Sequence, residues 1–148
     1  MQLQEGGALH IAELARLFDL YRQFYTCEPD LGLAREYMAA RLAKKESTIF
    51  VASTGGEKLS GFVQLYPTFC SVQAVKIFVL YDLFVDADAR NAGIGALLMN
   101  KARGFAIASG ASRLDLRTAF SNKPGQHLYE KCGYERVLED FHSYSLPL

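Results

Sequence analysis

Apolar side chains recur every three or four positions over two stretches near the start of the chain. From about residue 9 to 25 these positions follow the helical period, which predicts an amphipathic helix. Pro29 ends that pattern, and a second helix is predicted from about Leu33 to Lys44. Ahead of the first helix we expect at most a short strand over Gln2–Gln4.

The middle of the chain changes from helical to extended patterns. Thr48–Ala52 is rich in β-branched and aromatic residues, and Leu59–Pro67 follows it after the glycine pair at positions 55 and 56, so a hairpin is predicted. Val75–Val85 is almost wholly apolar, which is typical of a strand that is buried on both faces at the centre of a sheet.

The last third of the chain alternates between the two patterns. A helix is predicted over 93–109, a short strand over Arg113–Thr118, a helix over Pro124–Cys132, and two final strands over Tyr134–Leu138 and His142–Leu146. This order of elements is typical of an α/β or α+β fold with a mixed sheet. The 148 residues contain no repeat or linker, so a single domain over 1–148 is predicted.

The composition excludes several classes of protein. The chain is 50% hydrophobic and 22% charged, which is ordinary for a globular domain. No apolar run reaches the roughly 20 residues of a membrane-spanning helix, and the first residues lack the pattern of a signal peptide. We therefore predict no membrane partner and a cytoplasmic location. Cys27, Cys70 and Cys132 are widely spaced, so neither a metal site nor a disulfide is expected.

The charges balance overall but are unevenly placed. Sixteen basic residues match sixteen acidic ones, which argues against a general nucleic-acid partner. Between Ala89 and Tyr129, however, Asp115 is the lone acidic residue, and the rest of the chain is net acidic. The basic residues of this segment are Arg90, Lys101, Arg103, Arg113, Arg117 and Lys123. This segregation suits a small polyanionic ligand.

The segment after the central strand carries the first candidate site. A loop with two glycines leads into the long helix, and free N–H groups at a helix start, together with the helix dipole, favour an anion. The loop consists of Arg90, Asn91, Ala92, Gly93, Ile94, Gly95 and Ala96. No P-loop motif is present, and the third glycine of a dinucleotide fingerprint would fall on Leu98, so neither ATP nor NAD is supported.

Two motifs together resemble the GCN5-related N-acetyltransferase (GNAT) superfamily. The pattern Arg90-x-x-Gly93-x-Gly95 resembles its pyrophosphate loop. A second pattern resembles its N-x-x-A-x-x-L-Y-x-x-x-G-F/Y signature, with Gly125 for the usual alanine and Tyr134 for the commoner phenylalanine. It runs Asn122-x-x-Gly125-x-x-Leu128-Tyr129-x-x-x-Gly133-Tyr134. The resemblance covers nearly the whole chain and implies the GNAT fold, with acetyl-CoA as cosubstrate and no metal.

The resemblance also implies roles for individual residues. The loop 90–96 would bind the coenzyme A pyrophosphate through its backbone amides. Leu83 and Val85 would pair with the pantetheine arm like an added strand, and an amide near Leu83 or Phe84 would polarise the thioester carbonyl. Asn122 would hydrogen-bond the pantetheine, and Tyr129 would protonate the leaving thiolate.

The general base is left open between two neighbouring residues. A lysine-like amine, with a pKa of about 10.4, must lose a proton before it attacks. Relatives that acetylate polyamines carry an acidic pair at the position of Tyr81 and Asp82. Because side chains alternate along a strand, these two are predicted to face opposite sides of the sheet.

Acceptor contacts are expected from aromatic and acidic side chains, which suit a cationic amine. The candidates are Tyr25, Glu28, Tyr66 and Phe69. The predicted function is acetyl transfer from acetyl-CoA to a small cationic amine, such as a polyamine or diamino acid, by direct attack in a ternary complex. Two alternatives stay open: a protein or peptide acetyltransferase acting on lysine or the N-terminus, and a coenzyme-A-binding sensor without turnover. Analogy with relatives and the apolar tail Tyr144–Leu148 adds a homodimer to the expectations.

Overall fold

The computed structural model describes residues 1–137 and 142–148. In chain order the strands are β1 (Gln2–Glu5), β2 (Thr48–Ser53), β3 (Gly61–Cys70), β4 (Val75–Val85) and β5 (Leu114–Asp115). The helices are α1 (Ile11–Phe24), α2 (Leu31–Ala43), α3 (Ile94–Ala108) and α4 (Lys123–Lys131). Short 3-10 turns at Ala8–His10 and Ala87–Ala89 precede α1 and α3.

The strands form one sheet in the order β1-β2-β3-β4-β5. The first four strands pair antiparallel, and β5 pairs parallel to β4. The predicted α+β class with a mixed sheet is therefore confirmed, and the short first strand is present. Helix α2 begins two residues earlier than predicted because the Asp30 side chain accepts a hydrogen bond from the Leu33 amide at 2.9 Å and caps the helix.

The C-terminal strands differ from the prediction. Residues 134–137 and 142–148 contain no strand, and Leu138 lies outside the described residues. The strand expected over Arg113–Thr118 shrinks to the two residues of β5. In the tail the side chains of Val137, Tyr144 and Leu146 are exposed. Alternation shows which side chains a strand would bury, but a strand also needs a neighbouring strand for its backbone hydrogen bonds. Residues 134–137 and 142–148 pair with no strand.

Apolar side chains fill both faces of the sheet. On one face, α1 and α2 pack through Leu14, Leu17, Ala34 and Met38 against Ile49, Val51 and Phe62. On the other face, α3 packs through Ile94, Leu98, Met99, Ala102 and Ala106 against Phe50, Val63, Leu65, Phe78 and Leu80. The central position predicted for Val75–Val85 is confirmed, because β4 lies between β3 and β5 and contributes to both layers.

Two irregularities in β4 shape the surface around it. The register with β3 shifts between Gln64 and Leu65, which pair with Asp82 and Leu80, so Tyr81 is the extra residue of a β-bulge. Pairing with β5 involves only Phe78 and Val79 among the described residues. Beyond Val79, β4 therefore diverges from β5 and leaves one edge of its backbone unpaired.

Gly104 offers a test of the α3 assignment. It is exposed in the interior of the helix, and a Cβ there would meet nothing within 4 Å. Gly104→Ala should raise the free energy of unfolding by about 0.5–1 kcal/mol, because alanine has less backbone entropy to lose. Urea unfolding measures it. The matched control is Gly110→Ala just past the helix, where φ is +73°, and there stability should fall. A loss at both positions would contradict a regular helix at Gly104.

Candidate active site

A cleft of about 630 Å³ lies where α1 and α2 cover the middle of β3 and β4. Its lining is mainly aromatic and apolar: Phe18, Tyr21, Tyr37, Tyr66, Thr68, Val79, Tyr81 and Asp82. Asp82 is the acidic group among these side chains. The cleft thus presents a carboxylate within an aromatic wall, which is a chemical match for a small cation.

The predicted separation of Tyr81 and Asp82 onto opposite faces of the sheet is wrong. Both side chains line the cleft. The physical reason is the bulge at Tyr81, which adds one residue to β4 and so brings two consecutive side chains to the same face. Their exposures still differ, since Tyr81 is 65% exposed and Asp82 only 5%. Tyr81 forms the rim and Asp82 the floor.

Gln64 Nε2 donates a hydrogen bond to Asp82 Oδ2 at 2.6 Å. The Tyr21 hydroxyl donates to the Tyr81 carbonyl at 3.2 Å and lies near the carboxylate, whose charge it also stabilises. Burial raises the pKa of Asp82 above its usual range, while Gln64 and Tyr21 act in the opposite direction. A carboxylate whose pKa is raised towards neutrality is a stronger base than an ordinary aspartate.

Tyr21 and Tyr66, near Asp82, stay neutral. Burial, followed by the nearby Asp82 carboxylate, raises the pKa of Tyr21 far above 10. Burial likewise raises the pKa of Tyr66, whose hydroxyl lies 2.6 Å from that of Tyr37. The Tyr66 and Tyr81 rings meet edge to face, with centroids 5.6 Å apart. These contacts narrow the cleft at the end where Tyr37, Tyr66 and Tyr81 meet.

The predicted acceptor residues are only partly brought together. Tyr66 lines the cleft, whereas Tyr25, Glu28 and Phe69 do not. Phe69 is 74% exposed near the end of β3. The sequence analysis missed Tyr37, which sits within an apolar helical stripe, and it also missed Gln64. The signal that could have identified Gln64 is a single amide within the apolar run of β3.

Tyr25 instead lines a second, smaller cleft of about 450 Å³. This cleft lies between the end of α1 and the start of α4, with Phe24, Tyr25, Thr26, Ala119, Ser121, Asn122 and Pro124 around it. The Tyr21 and Tyr25 rings are in edge-to-face contact at 5.2 Å. Because Tyr21 lines the first cleft and Tyr25 the second, this ring pair forms the wall between them.

Tyr129 lies on α4 close to that wall. Burial raises the pKa of Tyr129, and the neighbouring Tyr25 adds to the effect, while a hydrogen bond with Thr118 opposes it. The ring also packs near Tyr134, at a centroid distance of 6.4 Å. A phenol in this setting remains protonated at physiological pH, so it is available as a proton donor.

Asn122 caps α4. Its Oδ1 accepts from the Gly125 amide at 3.2 Å, and its Nδ2 donates to Thr118 Oγ1 at 3.0 Å. Both ends of the amide are thus used within the chain, where they fix the start of the helix that carries Tyr129. A Cβ at position 125 would collide with the Asn122 side chain. The glycine that replaces the usual alanine therefore leaves room for the Asn122 side chain in this position.

The loop from Arg90 to Ala96 leads into the start of α3. Asn91 and Gly93 adopt left-handed backbone angles, with φ of +62° and +78°, and turn the chain into α3. The first hydrogen bond of the helix runs from the Leu97 amide to the Gly93 carbonyl at 3.1 Å. The amides of Ile94, Gly95 and Ala96 precede that bond and have no partner within the helix. They are available to an anionic ligand.

Arg90 and Asp86 fix the entrance of this loop. Arg90 Nε donates to the Val85 carbonyl at 3.1 Å, and the guanidinium lies 5.6 Å from the Phe84 ring centroid. Arg16 of α1 donates to Asp86 Oδ2 at 2.7 Å. The end of β4 is therefore tied both to the loop and to α1, which covers the first cleft.

Two further features are absent from the described ranges, 1–137 and 142–148. No group of three or more His, Cys, Asp or Glu side chains there could hold a metal ion. No helix in that part of the chain is long and apolar enough to cross a membrane.

Comparison with known proteins identifies the family. A model described as the acetyltransferase (GNAT) family matches residues 14–134. The chain belongs to the GNAT family. The resemblance to the GNAT superfamily and the predicted enzyme class, an N-acetyltransferase, are both confirmed.

Curated relatives of this GNAT protein agree. It is 42% identical over 135 residues to an uncharacterized N-acetyltransferase, YhfO, of Bacillus subtilis (strain 168), covering 91% of this chain and 90% of that protein. It is 32% identical over 114 residues to a probable acetyltransferase of Haemophilus influenzae, covering 77% of this chain and 78% of the relative.

Solved structures show the same fold. A crystal structure of a probable acetyltransferase matches with a TM-score of 0.89 at 32% identity, covering 100% of this chain and 98% of that one. The ribosomal-protein-alanine N-acetyltransferase of Brucella melitensis biovar Abortus 2308 has a TM-score of 0.78 at 22% identity, with both chains fully covered. At that identity the likeness shows the fold alone.

Proposed function

We propose that this GNAT enzyme transfers an acetyl group from acetyl-CoA to the primary amine of a small cationic acceptor, with Asp82 as general base. The observation that carries the proposal is the cleft, in which a buried carboxylate lies at the base of a tyrosine-lined wall. An alkylammonium ion is attracted both to the carboxylate and to the faces of the rings.

The residues present fit acetyl-CoA. The amides of Ile94, Gly95 and Ala96 and the Arg90 side chain would hold the pyrophosphate. Beyond Val79 the edge of β4 has no partner strand among the described residues, so the backbone of Leu83 and Phe84 could pair with an extended arm. The Val85 carbonyl next to them already accepts a hydrogen bond from Arg90. When bound, acetyl-CoA supplies the activated acetyl thioester. These two features lie on one path, from the start of α3 along β4 towards Asp82.

Asp82 and Tyr129 divide the proton transfers. At pH 7 an alkylammonium with a pKa of about 10.4 needs about 4.6 kcal/mol for deprotonation to bulk water. The raised pKa of Asp82 reduces the mismatch between this base and the ammonium. Burial keeps Tyr129 protonated, and Tyr129 would return a proton to the leaving thiolate.

A small acceptor fits the cleft better than a peptide. The hydrogen-bonded pair Tyr37–Tyr66 and the ring contact of Tyr66 with Tyr81 narrow it on one side. A series of acceptors tests the proposal: linear diamines and polyamines, their neutral amide analogues, and a lysine-containing peptide. The value of kcat/KM should be highest for the small cationic amines. A preference for the peptide would assign the cleft to a protein substrate instead.

Tyr129→Phe tests the proposed proton donor. Loss of the hydroxyl should lower kcat by about 10²-fold or more, which is typical for a general acid, while the affinity for acetyl-CoA stays nearly unchanged. Steady-state kinetics and calorimetry measure the two quantities. Tyr134→Phe is the matched control, because the Tyr134 hydroxyl is buried without a hydrogen-bond partner in the described part of the chain. Equal losses of turnover and acetyl-CoA affinity in Tyr129→Phe would contradict the role.

A further inference from the structure

We propose that Gln64 is the positioning residue for Asp82, as the middle member of a buried hydrogen-bond chain from Ser47 through Gln64 to the Asp82 carboxylate. The inference rests on the proposed function and deepens it, since it names the group that holds the base for its reaction. Gln64 does not touch the substrate and acts only through Asp82.

Gln64 is an unusual residue for its place in the fold. It is 0% exposed, in the middle of β3, where its neighbours along the strand are buried apolar side chains. The Met38 sulfur of α2 lies 4.0 Å from its Nε2. A buried amide that lacks its hydrogen bonds destabilises a fold. Its presence in the core therefore depends on the partners it has there.

Those partners fix which end of the amide faces the base. Ser47 Oγ, just before β2, donates to Gln64 Oε1 at 2.7 Å. With the oxygen end engaged, Nε2 is directed to Asp82 Oδ2 at 2.6 Å. A carboxamide carries one acceptor and one donor end, so the two contacts together determine its orientation. The hydrogen-bond chain restrains the Asp82 carboxylate, because Gln64 holds its Oδ2 oxygen.

The β-bulge creates this arrangement. Gln64 and Asp82 are direct cross-strand partners, and the register changes immediately beyond them. Side chains of directly paired residues lie close enough to interact. The irregularity that brings Tyr81 and Asp82 to the same face therefore also places an amide donor opposite the base.

The other titratable and charged groups around Asp82 come from every element that covers the cleft. They are Tyr21 on α1, Tyr37 and Arg41 on α2, Tyr66 on β3, Tyr81 on β4 and Tyr129 on α4. Arg41 lies 4.6 Å from the Tyr37 ring centroid and pairs with Glu46 at 2.7 Å. A tyrosine ordinarily titrates near 10, and arginine higher still. Asp82 is thus the cleft group whose titration sets the acid limb of a pH–rate profile.

The hydrogen-bond chain serves the step in which Asp82 takes a proton from the acceptor. The ammonium N–H bond of the acceptor breaks and its proton joins an Asp82 oxygen, which leaves a neutral amine. The amine nitrogen then bonds to the acetyl carbon of acetyl-CoA as the C–S bond breaks, and it gives up a second proton as it becomes the amide. The leaving sulfur gains a proton from Tyr129, the second proton of the nitrogen restores the Tyr129 hydroxyl through solvent, and Asp82 releases its own proton to solvent. Gln64 stabilises the ionised carboxylate before the step, because its N–H donates to the charged form.

The test is the pH dependence of kcat/KM for Gln64→Met and Ser47→Ala, with acetyl-CoA and the most active amine of a set containing putrescine and spermidine. Loss of a hydrogen bond to a carboxylate raises its pKa. The acid limb of Gln64→Met should therefore move to higher pH by roughly one unit. Ser47→Ala, at a half-buried surface position, should shift it in the same direction by less.

Gln23→Met is the matched control. Gln23 Nε2 donates to Asp19 Oδ2 at 3.0 Å, so this variant removes the same kind of glutamine–carboxylate bond outside the cleft. Its acid limb should stay at the wild-type position. If Gln64→Met lowers activity equally at every pH and the limb does not move, Gln64 is only a structural residue and the proposal is overturned.

A second readout separates this inference from the proposed function. Carbon-13 NMR titration of the Asp82 carboxyl in wild type and Ser47→Ala needs neither turnover nor an acceptor. A higher pKa of the Asp82 carboxyl in Ser47→Ala supports the hydrogen-bond chain even if no amine is acetylated. In that case only the proposed function fails. Identical titration curves would overturn the chain even in an active enzyme.

Discussion

Asp82→Asn should remove most of the acetyl transfer while leaving acetyl-CoA binding intact. Asparagine has nearly the same shape, and its amide can still pair with Gln64, but it cannot take a proton from an ammonium group. Loss of a general base typically lowers kcat by about 10²–10⁴-fold. Steady-state kinetics with a cationic amine, together with calorimetric titration of acetyl-CoA, measure the two effects. A variant that keeps more than a tenth of the wild-type kcat would contradict the role of Asp82.

The same variant makes a prediction about stability. Burial raises the pKa of Asp82 in the folded state above its unfolded value of about 3.9. A carboxyl of this kind favours the fold when protonated, and that contribution is lost as pH rises through the folded-state pKa. Asp82→Asn lacks this loss, so at pH 7 its free energy of unfolding should be at or above that of wild type. Urea unfolding at pH 7 and pH 4 measures the difference, and a variant less stable at pH 7 would contradict the sign.

Gly93→Val should weaken acetyl-CoA binding by about tenfold or more. The φ of Gly93 is +78°, a conformation that a β-branched residue adopts only at a cost of about 1–3 kcal/mol. The loop can escape this strain only by turning, and that would move the amides of Ile94 and Gly95 away from the anion. A change of 1.4 kcal/mol corresponds to about a tenfold change in affinity. Calorimetric titration with acetyl-CoA provides the measurement.

Gly104→Ala is the control for that experiment, since it alters a glycine of the same helix that is remote from the loop. Its affinity for acetyl-CoA should equal that of wild type, and its stability should rise. Wild-type affinity in Gly93→Val would show that the amides at the start of α3 do not hold the pyrophosphate.

The sequence predicted the features that depend on local pattern. Local patterns placed all four helices and the hairpin of β2 and β3, because each element buries one face of its own. The turn at Gly93 was also visible, since few residue types accept that backbone position. Asn122 was visible only as part of the motif, and its role as the cap of α4 was not predicted. The motif resemblance to the GNAT family followed from these positions.

The features that depend on neighbouring strands were not predicted. The bulge at Tyr81 arises from the register between β3 and β4, so strict alternation assigned Tyr81 and Asp82 to opposite faces. Tyr37 resembled an ordinary core residue, because its role depends on facing Tyr66. The two final strands were expected from alternation alone, yet residues 134–137 and 142–148 find no partner strand. In each case the deciding contact is with a residue distant in sequence.

The most direct test of acetyl transfer is to incubate the purified protein with acetyl-CoA and a set of amines and to follow both products. Free coenzyme A thiol is measured by its reaction with a chromogenic disulfide, and the acetylated amine by mass spectrometry. We expect the two products to appear in equal amounts with small cationic amines, and we expect Asp82→Asn to suppress both. Tight acetyl-CoA binding without an acetylated amine from any member of the set would contradict this expectation, and would indicate a coenzyme-binding sensor.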